Sequence, residues 1–333
     1  MSNAIMSNAS MSNASMSNAV EISRCRIRSG DSTLFFNVIM KNTILSLLAL
    51  CLFAAPVFAQ DAAPRKKVLY FSYSNGFQHD PVKLVDGGPS VSDVAMVELG
   101  KKHGYEVVCT KDGAVFDGDL DQYAAFAFYT SGNLSNDPDE NKPGARITDT
   151  GREKFFAAIR AGKGYLGFHS ANDTWRSGGD NYVNDPPEKI NPYIKIVGAE
   201  FTSHGPQQEA DVIITQPAAL PWFKSKGEKF RYYDEWYAFK NFADDMHVLA
   251  VLDTEGMKGD QYRRPPFPMV WARMEGKGRV VFSGLGHRNE YWKDEHMMEM
   301  VNDLLQYAMG EGEIDITPNL EKTAPGAKTL KNN

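Results

Sequence analysis

Four of the seven histidines share one local arrangement. His79, His169, His204 and His287 each follow a short apolar run and lie in a turn with glycine or other small residues. Imidazole exchanges a proton near neutral pH and is the commonest metal ligand, so each turn is a place where chemistry could be mounted. His169 is the most informative. The run Tyr165-Leu166-Gly167-Phe168 enters His169-Ser170-Ala171, and Asn172, Asp173 and Trp175 follow as though a helix begins. In α/β proteins a sharp strand-to-helix turn lifts one side chain to the carboxyl edge of the sheet, where ligands bind. The usual apex is a nucleophilic Ser or Cys; here it is His169. Ser170 lies one position past the apex, no G-x-S-x-G occurs, and Cys109 falls inside an expected strand. These features argue against covalent acyl transfer.

The run Tyr232-Tyr233-Asp234-Glu235-Trp236-Tyr237 sets two acids among aromatics. Apolar surroundings raise a carboxyl pKa, which would suit Glu235 to general acid–base work beside His169 and His287. His79 and His204 read as orienting groups, substrate contacts or metal ligands, and Ser170 as a further substrate contact. Trp175 and Trp236, with Tyr233 and Tyr237, are either stacking surfaces for a sugar ring or core. Two or three imidazoles with Glu235 would suit zinc or another divalent ion. No H-x-x-x-H pairing marks a metal site, so the cofactor stays unassigned. His103, His247 and His296 fall within expected helices or strands and read as structural.

The elements that must position these residues follow from apolar patterning. Compact apolar runs at 68–71, 105–110, 123–129, 165–168, 194–201, 209–215, 247–253, 268–273 and 279–283 read as strands. Helical spacing marks 91–103, a segment from Asp149 or Thr150 to Gly162, and 294–310. Residues 220–231 read as amphipathic or irregular. Strands alternating with helices predict one three-layer α/β domain with a mainly parallel sheet. In such a sheet the strand ends share an edge, where the four histidine turns would converge.

Composition narrows the class. The four Met-Ser-Asn-Ala repeats read as an added tag, and residues 1–39 as leader of no assigned origin. Residues 40–59 read as a secretory signal: Lys41, an apolar run at 44–53, and Val57-Phe58-Ala59 before Gln60. That run is too short for a membrane span, so a periplasmic or secreted protein without a span in its mature chain is expected. Beyond the signal the sole cysteine is Cys109, which excludes an internal disulfide. A formal net charge of -6 and no basic run argue against nucleic acid as a partner. The domain is expected over 60–310, with 311–333 as an extended polar tail. Homo-oligomerisation is left open.

Phe77-Gln78-His79, Thr130-Ser131-Gly132, Gly167-Phe168-His169-Ser170-Ala171, Phe201-Thr202-Ser203-His204, Asp234-Glu235-Trp236-Tyr237 and Gly284-Leu285-Gly286-His287 occur in that order. Together they resemble the ThuA-like (trehalose utilisation) family, over about 66–309. The resemblance implies a flavodoxin-like fold similar to class I glutamine amidotransferases. It also implies the location of the pocket, though not glutaminase chemistry, since His169 replaces the elbow Cys. The family is associated with disaccharide utilisation, including routes through 3-keto sugars. The expectation is therefore an acid–base or metal-assisted enzyme acting on a sugar or glycoside; the alternative is a non-catalytic sugar-binding or complex-forming subunit.

Overall fold

The computed structural model describes residues 65–138 and 142–330. The leader and the signal at 40–59 lie outside the described residues. The first strand, β1 (Lys67–Phe71), is buried from Val68 onward. Helix α1 (Val91–His103) starts at a capping box, Ser90 with Asp93, and stops at Gly104 with φ 84°. Then come β2 (Glu106–Thr110), which contains Cys109, and β3 (Ala125–Phe128). Helix α2 (Asp149–Ala161), capped by the Thr148 hydroxyl, leads into β4 (Gly164–Phe168). β3 and β4 are buried throughout, as continuous apolar strands covered on both faces must be.

The second half holds α3 (Pro192–Val197), β5 (Glu200–His204), β6 (Gln208–Ile214), α4 (Pro221–Lys226), β7 (Lys229–Asp234) and β8 (Tyr237–Lys240). After these come β9 (His247–Leu252), β10 (Phe267–Glu275), β11 (Gly278–Ser283), α5 (Glu295–Ala308) and α6 (Leu320–Thr323). Nine strands form one sheet in the order β2-β1-β3-β4-β11-β10-β9-β6-β7. From β2 to β11 every pairing is parallel. From β11 to β7 every pairing is antiparallel. β5 and β8 form a separate antiparallel pair.

Aromatic rings pack much of the core. Phe71, Phe116, Phe126, Phe128 and Phe155 meet at ring separations of 4.8–6.2 Å. Trp271 stacks on Phe282 at 4.4 Å, with Phe239 edge-on to both. Burial of each phenylalanine stabilises by roughly 1.5–3 kcal/mol. Among the described residues no helix is long and apolar enough to cross a membrane.

Two expectations are corrected. Residues 194–201 are not one strand. Asn191 caps α3, Pro192 occupies its first turn, and Gly198 at φ 98° ends it, so the strand begins at Glu200. The expected polar tail is laid against the domain, with Ile314, Leu320, Ala324, Ala327 and Leu330 buried. Its backbone is anchored as well: the Thr317 carbonyl meets His247 Nδ1 at 2.7 Å, and Val248 N–H donates to Asn319 Oδ1.

Candidate active site

Three parallel strands deliver three histidines to one place. β1 runs into the loop that carries His79, β4 ends at His169, and β11 ends four residues before His287. His169 opens a 3₁₀ turn with φ 41°, the left-handed region that a non-glycine residue enters at some strain. The loops after β1 and β3 are stitched together, with Asn75 and Gly76 N–H groups both donating to the Ser131 carbonyl at 3.0 Å. Gly132 is required there: its φ is +78°, and a Cβ would sit 2.2 Å from Gly76 N. The Ser131 hydroxyl then donates to the Phe77 carbonyl at 2.6 Å, fixing the approach to His79.

The fourth member comes from the other half. Glu235 lies between β7 and β8, and its Oε2 is 3.1 Å from His287 Nδ1 and 3.6 Å from His169 Nε2. His287 Nδ1 and His169 Nε2 are 3.2 Å apart. His79, His169, His287 and Glu235 each place one potential ligand atom within 4.8 Å of all the others. His169 is fully buried, His79 1 % exposed and Glu235 8 % exposed.

Hydrogen bonds assign most of the protons. His169 Nδ1 faces the Gly284 carbonyl at 3.2 Å, so it carries the hydrogen and leaves Nε2 as a lone pair. Gln207 Oε1 accepts from Arg288 at 2.7 Å, which turns its amide nitrogen toward His287 Nε2 at 3.0 Å. His287 Nδ1–H then points at Glu235. His79 Nε2 meets the Tyr237 hydroxyl at 3.2 Å, and its Nδ1 is buried without a hydrogen-bond partner. His204 stands at the rim, its side chain 44 % exposed. Its Nδ1 faces two acceptors, Gly205 O at 3.0 Å and Glu235 Oε1 at 3.2 Å, so Nε2 is its free lone pair.

Glu235 is therefore shared, one oxygen to the buried histidines and one to His204. Asp234 holds this arrangement, accepting from Gly286 N–H at 2.8 Å and from Glu235 N–H at 2.9 Å. The Gly286 carbonyl also accepts from Tyr129 and from Trp292, each at 3.0 Å. Burial raises the Asp234 carboxyl pKa, against the neighbouring His169 imidazole and the two backbone donors. Burial pushes Glu235 the same way, but the adjoining imidazoles of His169 and His287 outweigh it and hold Glu235 well below the usual carboxylate range. The aromatic setting was expected to raise Glu235; the imidazoles reverse that. His79 is held well below the usual histidine value, by burial first and then by the neighbouring histidines, so its ring is neutral. Burial, then Glu235 and Asp173, keeps the Tyr237 phenol protonated.

Trp175 and Trp236 do not face the site. Trp236 is fully buried and donates to the Gln208 carbonyl, and Trp175 packs edge-on to Phe156 and Tyr193, so neither offers a free ring face. Ser170 is buried, its hydroxyl without a partner. An exposed aromatic near the site is Phe77, 66 % exposed and 4.9 Å from the His79 ring. Asp234, Gln207 and Tyr129 were not singled out. Asp234 had a signal in its adjacency to Glu235, whereas Gln207 and Tyr129 had none.

Comparison with known proteins identifies the family and the fold. The model of the ThuA family, described as trehalose utilisation, matches residues 67–308. A ThuA-like protein from Parabacteroides merdae ATCC 43184 has a similar solved structure, with 18% identity and TM-score 0.52 over 81% of this chain and 100% of that one. Another, from Bacteroides uniformis ATCC 8492, gives 19% identity and TM-score 0.51 over 75% and 95%. At these identities the structures speak for the fold alone. No curated protein matches the chain.

Proposed function

The chain belongs to the ThuA family, and from that premise we propose that it is an exported enzyme acting on a keto-sugar glycoside. Family membership points to carbohydrate metabolism. The observation that carries the finer reading is the convergence of His79, His169, His287 and Glu235 within 4.8 Å, next to a half-exposed His204. Binding a sugar requires hydrogen-bond donors and a ring face; a buried set of three imidazoles and an ionised carboxylate is the equipment of proton transfer and charge stabilisation. Export rests on the reading of residues 40–59 as a signal.

In the proposed reaction the buried set polarises the keto oxygen. His204 Nε2 removes the proton from the carbon beside the carbonyl, and the electrons pass to an enolate at that oxygen. The enolate collapses, a carbon–carbon double bond forms, and the glycosidic C–O bond breaks at the next carbon. The departing alkoxide takes up the proton that His204 removed, leaves as the alcohol and returns His204 to its neutral form. Glu235 Oε1 holds His204 Nδ1–H in the tautomer this needs and stabilises the imidazolium that forms. The base role expected for Glu235 thus passes to His204, because both Glu235 oxygens are engaged, Oε1 by His204 and Oε2 by the buried histidines. Turnover of a 3-keto-glycoside, followed by release of the alcohol, tests the reading. His169→Ala and His204→Ala should each abolish most of it; a purified protein that binds the glycoside without releasing alcohol removes the enzyme reading.

A further inference from the structure

We propose that His79, His169, His287 and Glu235 bind one divalent transition-metal ion, with zinc the ion whose dimensions fit best. Four ligands placed tetrahedrally at zinc distances of about 2.0–2.1 Å lie about 3.4 Å from one another. The observed separations among His169 Nε2, His287 Nδ1 and Glu235 Oε2 are 3.2, 3.1 and 3.6 Å. Three ligand atoms already form one face of such a tetrahedron, and His79 stands within 4.8 Å of all of them.

The outer contacts fit as well. A ligating imidazole usually donates its other N–H to a carbonyl or comparable acceptor, which fixes the ring. His169 does this with the Gly284 carbonyl. His79 has Nε2 against the Tyr237 hydroxyl, which leaves Nδ1 for a ligand. That Nδ1 is an unpaired polar atom in a side chain 1 % exposed, and leaving such a group unsatisfied costs about 1–3 kcal/mol. A metal satisfies it. At His287 an adjustment is needed: with Nδ1 on the metal, Nε2 carries the hydrogen and requires an acceptor. Turning the Gln207 amide end for end supplies one and gives up its bond to Arg288, which Glu290 also holds at 3.2 Å.

Three nitrogens and one oxygen are a ligand set for borderline ions such as zinc, cobalt or nickel, whereas magnesium, calcium and manganese favour oxygen. The inference deepens the proposed function by giving the polarising group an identity, with the keto oxygen having to enter as a fifth ligand, yet it is read without any sugar. The full chain, stripped with dipicolinate and dialysed, would be titrated with Co²⁺ while visible absorption is recorded. One equivalent should saturate intense bands of low-coordinate cobalt, and Zn²⁺ should displace them. The thermal midpoint should rise with Zn²⁺. His79→Ala, His169→Ala and Glu235→Gln should each weaken Co²⁺ binding at least tenfold, while His103→Ala binds as the parent does. Should His169→Ala fail to fold, Glu235→Gln is close to isosteric and carries the same test, and the thermal shift needs no variant. Absence of stoichiometric binding, binding of Mg²⁺ alone, or binding undiminished in His79→Ala and Glu235→Gln would overturn the metal site. Metal bound without turnover of a keto-glycoside leaves this inference standing and removes the proposed function; turnover by a protein that fails to bind the metal does the reverse.

Discussion

The parallel and antiparallel halves of the sheet equip the site in different ways. On the parallel side, the paired strands β4 and β11 present His169 and His287 just past their ends, and the stitched loop after β1 presents His79. On the other side, Glu235, Tyr237 and His204 come from the β7–β8 junction and the β5–β8 pair, where side-chain pins set the geometry. Tyr262 accepts from Gly205 N–H and donates to the Trp236 carbonyl, tying the neighbours of His204 and Glu235 together. Lys240 is fully buried, donates to the Gly178 and Asp180 carbonyls, and lies 2.8 Å from Asp185 and 3.8 Å from Glu200. A backbone ladder is robust to single substitutions, whereas a pinned loop depends on each pin.

The largest expected difference is in turnover. His204→Ala should lower kcat by about 10²–10⁴, with metal affinity nearly unchanged, whereas His169→Ala should lose both. Equal loss of metal in the two variants would erase the division of labour. Next comes Lys240→Met, which removes the buried cation shared by Glu200 and Asp185; chemical denaturation should register a loss of about 3–5 kcal/mol. A loss below about 1 kcal/mol would mean that the pins of this half are dispensable.

Asp173→Asn probes pH. Burial, partly opposed by Arg176, raises the Asp173 carboxyl to about 6 from 3.8. The native state therefore binds its proton more tightly than the unfolded state does, and stability falls as pH rises from about 4 to 6. The variant should flatten that slope and gain on the order of 1–3 kcal/mol at pH 7, read from thermal midpoints across pH; an unchanged slope would assign it to other groups. The smallest effect is expected from Tyr262→Phe. It should lower kcat about tenfold, with a stability loss near 1 kcal/mol, because Glu235 and His204 lose their common tie. An unaltered kcat would show that the tie is ornamental.

The same contrast explains what the sequence revealed. His79, His169 and His287 follow buried apolar runs, so the expected strand ends are enough to locate them. His204 was expected at a parallel edge by the same rule, yet it ends a strand of the separate antiparallel pair and reaches the site through Glu235. Glu235 stood out for its aromatic neighbours, but the partners that fix its ionisation lie far away in sequence. Asp234, Gln207 and Tyr129 act through bonds between distant loops, which no local spacing encodes. Trp175 and Trp236 were ambiguous because aromatic residues suit a ring platform and a core equally.

The left-handed backbone at His169 makes alanine an unsuitable reference there. His169→Ala empties the imidazole volume and keeps the strain; His169→Gly empties it and releases the strain, by roughly 1–2 kcal/mol. The glycine variant should then match or exceed the alanine variant in stability, inverting the order seen in ordinary turns or helices. It would also leave a ring-sized vacancy whose hydrogen-bond acceptor, the Gly284 carbonyl, is still in place. Free imidazole diffusing into that vacancy would restore the missing nitrogen without a covalent link to the chain, and so separate what the side chain does from what its backbone conformation costs.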